Sequence, residues 1–152
     1  MQCRSTLAAA MMLLAMPVDA SAEGLATPPH TIILIGADWC APCVAELREL
    51  PSLANAAAPH RLVLAWTDRP ARLSPQAAQL GVTQVPLAKA REMMARYGQG
   101  NSGLPLVVML SDDGAACGTL RERLSKEGIA ALLASCSADR QALQSNVAKR
   151  AR

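Results

Sequence analysis

From residue 31 onward the chain alternates short, unbroken apolar runs with longer stretches in which apolar residues recur every three or four positions. Thr31 to Ile35 is a β-branched run of the first kind, the pattern of a strand buried on both faces. Ala41 to Ala56 is of the second kind, with Val44, Leu47, Leu50 and Leu53 on one helical stripe. Pro51 falls inside that stripe and predicts a kink or break. Arg61 to Thr67 reads as a second strand. Asp68 to Pro86 holds three prolines and a glycine, so it reads as loop with one short helix over Pro75 to Leu80. Leu87 to Tyr97 is a helix closed by Gly98 in the position of a left-handed cap, and Gln99 to Gly103 is a turn cluster. Leu106 to Leu110, the turn Ser111 to Gly114 and Ala115 to Arg121 form a hairpin of a third and a fourth strand. Ser125 caps a final helix striped by Ile129, Leu132 and Leu133 and ending at Cys136. The order βαβαββα calls for an α/β sandwich around a mixed four-stranded sheet.

The first 22 residues follow another pattern. Met1 to Arg4 is a short basic segment, Ser5 to Met16 is apolar, and Ala20, Ser21 and Ala22 form a small-x-small cleavage signal. The apolar run is shorter than the ~20 residues needed to span a hydrocarbon core. Residues 1–22 therefore read as a signal peptide, with retention as an anchor the alternative, and residues 23–138 as the folded domain. Export to a bacterial periplasm, or secretion, is expected, in a compartment where disulfides persist.

Charge changes the picture little. The net charge is +3, but residues 23–139 carry ten cations against eleven acids. Arg140, Lys149, Arg150 and Arg152 concentrate the excess in a basic tail, read over residues 139–152 as solvated and flexible. No basic patch points to a nucleic-acid partner, and the chain is expected to be monomeric.

Candidate chemistry lies between the first strand and the first helix, in Trp39, Cys40, Ala41, Pro42 and Cys43. That position places Cys40 at a helix N-terminus, where free backbone N–H groups favour a thiolate. Cys43 follows one turn deeper, within disulfide reach. Pro42 costs nothing in a first turn, where its missing N–H would have no partner. An exposed nucleophile with a shielded resolving thiol is the arrangement that thiol–disulfide exchange requires. Half of a zinc site and a purely structural disulfide are the alternatives. Zinc would need further ligands from Cys117, Cys136, His30 and His60, none of which forms a second close-spaced pair. No metal is assigned.

With these residues in place the chain resembles the thioredoxin superfamily, in its exported TlpA/ResA-like branch. Trp39, Cys40, Pro42 and Cys43 match the Trp-Cys-x-Pro-Cys motif, and Gly103, Leu104 and Pro105 match the family's Gly-hydrophobic-Pro loop. Tyr97 with Gly98, the turn Asp112 to Gly114, and Glu46 three residues after Cys43 follow in the family's order. The resemblance implies a thioredoxin fold over Thr31 to Cys136. It implies a cis bond before Pro105, facing the cysteine pair, and backbone groups of Leu104 offered to an extended substrate. Departures exist too. Leu34 stands where thioredoxins carry a buried Asp, so a proton acceptor for Cys43 must come from elsewhere, and Glu46 is the candidate on the same helix face. Arg48 and Leu106 replace a customary Pro and Thr, and the Gly-Leu-Pro loop is two residues longer than usual.

Cys117 opens the fourth strand and Cys136 ends the last helix. Cys117 to Arg121 spans about 13 Å as strand, and Lys126 to Cys136 spans about 15 Å as helix. An antiparallel return would thus bring the two cysteines together as a structural disulfide; two buried free thiols are the alternative. Trp39 is read as sheltering the Cys40–Cys43 disulfide and, with Leu104 and Pro105, as meeting substrate. Trp66 is read as edge or core packing, Met93 and Met94 as packing in preference to a copper site. His30 and His60 carry no assigned role.

The expected function is an exported protein-disulfide reductase that acts on protein thiols and disulfides. It needs no cofactor beyond its redox-active disulfide and is re-reduced by a membrane electron donor. The resemblance offers apocytochrome c thiols or copper-assembly proteins as clients. A disulfide oxidase or isomerase of the same fold, and a non-catalytic partner- or copper-binding module, are the rival readings.

Overall fold

The computed structural model describes residues 31–100, 103–111 and 113–150. The signal segment, the lead-in with His30, Asn101 and Ser102 of the turn cluster, Asp112 and the last two residues lie outside the described residues. The elements are β1 (Thr31–Gly36), α1 (Ala41–Ala57), β2 (Arg61–Trp66), α2 (Pro75–Gln79), β3 (Thr83–Gln84), α3 (Leu87–Gly98), β4 (Leu106–Leu110), β5 (Ala116–Leu120) and α4 (Lys126–Arg150).

The sheet has five strands where four were expected, in the order β3-β2-β1-β4-β5. β1 is parallel to β2 and antiparallel to β4, and β5 pairs antiparallel with β4, so the sheet is mixed. The added strand is the two-residue β3, which pairs Thr83 with Val63 and Gln84 with Leu64 on the outer edge of β2. Its own residues have no strand pattern; the open edge of β2 recruits them.

Alternation along β1 sorts the core into two layers. Ile32 and Leu34 join Leu64, Trp66, Val107 and Met109 on the face that buries Leu50 and Leu53 of α1 and Ile129 and Leu132 of α4. Ile33 and Ile35 join Ala65, Leu106 and Val108 on the opposite face, against Ala90 and Met93 of α3. The sheet is therefore covered by helices on both sides.

Three helices differ from expectation. α1 runs unbroken through Pro51, because Leu50, Leu53 and Ala57 on both sides of it are buried in one cluster, and that burial outweighs one lost backbone bond. α3 includes Gly98, and the left-handed residue is Gln99, with φ of 52°. Arg121 Nη2 donates to the Gly98 carbonyl at 2.8 Å and satisfies part of that helix end. α4 begins as predicted, with Gly128 N donating to Ser125 Oγ at 3.1 Å, but continues past Cys136 to Arg150. Residues 137–150 contain no Gly or Pro and are rich in Ala and Gln, so local propensity extends the helix although its described side chains there are exposed. Among the described residues no helix is long and apolar enough to cross a membrane.

Candidate functional site at the Cys40–Cys43 pair

β1 ends at Gly36, beside Trp66 of β2 in parallel register. A Cβ at position 36 would lie 2.4 Å from Trp66 Cζ3, so only glycine lets the indole lie across the strand end. The chain then turns, with Cys40 N donating to the Ala37 carbonyl at 3.1 Å, and enters α1. Cys40 is the N-cap of that helix in extended conformation (φ −88°, ψ 96°), and its Sγ accepts from Cys43 N at 3.3 Å. A sulfur in this place meets the positive end of the helix dipole and a free backbone N–H.

Cys40 and Cys43 are joined as a disulfide, with Cα atoms 5.2 Å apart. Cys43 is fully buried and Cys40 is only 4% exposed. The expectation of an exposed nucleophile is corrected: both cysteines belong to the buried core cluster that includes Leu50 and Leu53, and Leu104 packs against that cluster. Trp39, next to Cys40, is 69% exposed, so most of its surface faces water.

Glu46 is the unexpected member of the buried stripe Cys43, Glu46, Leu50, Leu53 and Ala57. It has no exposed surface. Its Oε1 accepts from the backbone N of Leu124, in the segment that leads into α4, while Oε2 is buried without a hydrogen-bond partner. Burial pushes its carboxyl up to about 7; the Leu124 N–H and the nearby Arg123 oppose the rise, and Glu49 adds to it. Arg123 itself pairs with Glu49, one turn further along α1. One carboxyl group able to take or give a proton near neutral pH thus stands one helical turn from Cys43.

The peptide bond before Pro105 is cis. β1 and β4 are antiparallel with Ile35 opposite Leu106, so Leu104 and Pro105 precede β4 at the same sheet end that β1 leaves to reach Cys40. Trp39, Cys40, Cys43, Glu46, Leu104 and Pro105 therefore gather at one end of the sheet. The chain matches no family model and no curated protein.

Cys117 and Cys136 lie elsewhere. β5 pairs Leu120 with Val107 and Ala116 with Leu110, which puts Cys117 at the far end of the sheet. The register shifts between Met109 and Leu110, so Cys117 is the extra residue of a β-bulge and is turned toward α4. There it is bonded to Cys136, with Cα atoms 4.9 Å apart. A groove of about 510 Å³ adjoins this second disulfide. Among the described residues, no three His, Cys, Asp or Glu side chains come together as a metal-binding group.

A polar frame behind the motif was not expected from sequence. Asp38 Oδ1 accepts from Trp66 Nε1 at 2.7 Å, and Asp38 N donates to Asp68 Oδ2 at 2.9 Å. Thr67 N donates to the Gly36 carbonyl at 2.9 Å. These bonds tie the turn before Cys40 to the end of β2. The only signal available beforehand was an Asp two residues before Cys40 and another two after Trp66, a pattern that also fits ordinary loop residues.

Proposed function

We propose that this protein is an exported thiol–disulfide oxidoreductase of thioredoxin type, working as a reductase of protein disulfides. One observation carries the reading: Cys40 caps a helix at the end of a central strand, bonded to Cys43, with the buried carboxyl of Glu46 on the same helix face. The arrival of Leu104 and Pro105 at that sheet end, with Leu104 packed against the cluster that holds both cysteines, supports it.

In the reduced protein the Cys40 thiolate attacks one sulfur of a client disulfide. A mixed disulfide forms, the client S–S bond breaks, and the client's other sulfur leaves as a thiolate that takes a proton from solvent. The Cys43 thiol then gives its proton to the Glu46 carboxylate and attacks Cys40 Sγ. This closes the Cys40–Cys43 disulfide and releases the second client sulfur as a thiolate, which is protonated in turn. The client gains two electrons and the protein loses two. A dithiol of a membrane electron donor restores them by the same exchange in reverse. A Glu46 carboxyl near 7 divides its population between acid and base at neutral pH, which suits both directions of transfer. The dipeptide between the cysteines is Ala41-Pro42 and holds no His to stabilise the thiolate further, which favours the reducing direction.

Turbidimetric reduction of insulin by dithiothreitol tests the activity. Catalysis by the wild type and its loss in Cys40→Ser are expected; equal rates with the two proteins defeat the enzymatic reading. Equilibration with glutathione tests direction, and a potential at the oxidising end, near −120 mV, would assign an oxidase instead.

A further inference from the structure

The connection from β5 to α4 leaves the sheet at the end where the redox pair lies, because Leu120 pairs with Val107, and Leu106 stands opposite Ile35. It carries two arginines. Arg121 is committed to the Gly98 carbonyl, whereas Arg123 Nη2 donates to Glu49 Oε1 on α1. The peptide bond that joins Arg123 to Leu124 holds the N–H that donates to Glu46 Oε1. Leu124 is itself buried, so this peptide is anchored with or without the ion pair. Arg123 thus meets Glu46 through its backbone and Glu49 through its charge.

Glu46 and Glu49 are three residues apart on one helix, where Cβ atoms lie about 5–6 Å from each other. The Arg123 cation draws Glu46 toward the carboxylate, and the Glu49 anion pushes it toward the acid. With Oε2 buried and without a hydrogen-bond partner, the carboxylate form leans on the Leu124 N–H and on Arg123. The other titratable groups beside Glu46 are the cysteines at the start of α1. The strands and α4 contribute apolar side chains such as Leu34, Met109 and Ile129 to the cluster behind that helix. Both members of the ion pair are about half-exposed, so either charge can be removed without opening the core.

We propose that Arg123 and Glu49 are positioning residues for the resolving step, acting through Glu46. Arg123 favours the carboxylate that takes the proton of Cys43, and Glu49, by claiming the same guanidinium, moderates that effect. The inference rests on the oxidoreductase reading and adds two residues to its proton-transfer site.

Reduced full-length protein mixed with equimolar dithiobis-nitrobenzoate tests it. Coloured thiolate is released once as Cys40 attacks and once as Cys43 resolves the mixed disulfide. At pH 6, below the Glu46 value of about 7, the second release follows the carboxylate fraction. Arg123→Gln should slow it about threefold and Glu49→Gln should speed it about twofold, the scale of one exposed ion pair. Arg123→Lys should match the wild type, and the first release should be unchanged throughout. Both neutral substitutions break the same ion pair, so a merely bracing role would move them in one direction. In a Glu46→Gln background neither should alter the second release. No change, changes of the same sign, or changes that persist in that background overturn the proposal; a wild type that reduces insulin then keeps the oxidoreductase reading. A wild type inactive on insulin overturns that reading, and the proposal with it.

Discussion

The two disulfides stand at opposite ends of one sheet and differ in every physical respect but the bond. Cys40 and Cys43 are three residues apart within a single helix start, so their bond restrains almost nothing beyond one turn. Cys117 and Cys136 are nineteen residues apart and join a strand to the helix that returns over it. Closing a loop of that size stabilises by about 3 kcal/mol in the chain-entropy picture. The first pair has a helix N-terminus and a buried carboxyl beside it; the second has a bulge and a hydrogen bond from Ser135 Oγ to the Cys117 carbonyl at 3.0 Å. A disulfide suited to turnover is thus marked by what can accept a proton and stabilise a thiolate. One suited to bracing is marked by how much chain it closes.

Breaking each pair in turn separates the two roles. Cys40→Ser should lower insulin reduction at least a hundredfold while leaving the thermal midpoint within a few degrees. Cys117→Ala with Cys136→Ala should do the reverse: unfolding in urea should reveal a loss of about 3 kcal/mol, with reduction kept within about threefold. A doubly substituted protein as stable as wild type would remove the bracing role.

Glu46 sharpens the contrast from the other side. Folding raises its carboxyl to about 7, so the folded state holds a proton that the unfolded chain has given up. Its contribution to stability is therefore fully present below the unfolded value near 4.5 and is lost as pH rises through about 7. Glu46→Gln should remove this slope and stabilise the protein at pH 8 by about 2–3 kcal/mol, read from denaturation at pH 5 and pH 8. The same substitution should slow resolution of the mixed disulfide about a hundredfold, the lower end of the general-base range, without changing the first attack. Unaltered resolution would leave Glu46 as a structural group.

The smallest expected effect concerns the frame behind the motif. Trp66→Phe keeps the buried ring but loses the bond to Asp38, and should cost about 1–2 kcal/mol in urea denaturation. No change there would mean that Asp38 is held by Arg69 and Asp68 without it.

Much of this arrangement was readable in advance. Thr31 to Ile35, Arg61 to Thr67 and Leu106 to Leu110 are apolar runs with turn residues between them, and each forms a strand within a residue or two of its expected bounds. Cys40 was placed at a helix start because a strand pattern precedes it and a helix pattern follows, and it is the N-cap. β3 was missed because two residues without alternation carry no strand signal; their pairing belongs to β2. The covering of Cys40 escapes the sequence for a related reason. A tryptophan next to a cysteine does not announce which of them the core will take.

What the sequence determined by itself is therefore local: where strands and helices form, which cysteines share a helical turn, and that a carboxyl stands one turn beyond Cys43. Those are matters of spacing, and spacing along a helix or strand is set by backbone geometry alone. The tertiary structure decided the environment of each group. Glu46 sits at a helical position that would be unremarkable on a surface; the Leu124 segment, 78 residues later, covers it and raises its carboxyl. Asp38 is engaged by Trp66 and Arg69, and Asp68 by the backbone N–H groups of Asp38 and Arg69. Burial and charge pairing depend on which distant residues arrive, and no local pattern encodes that arrival.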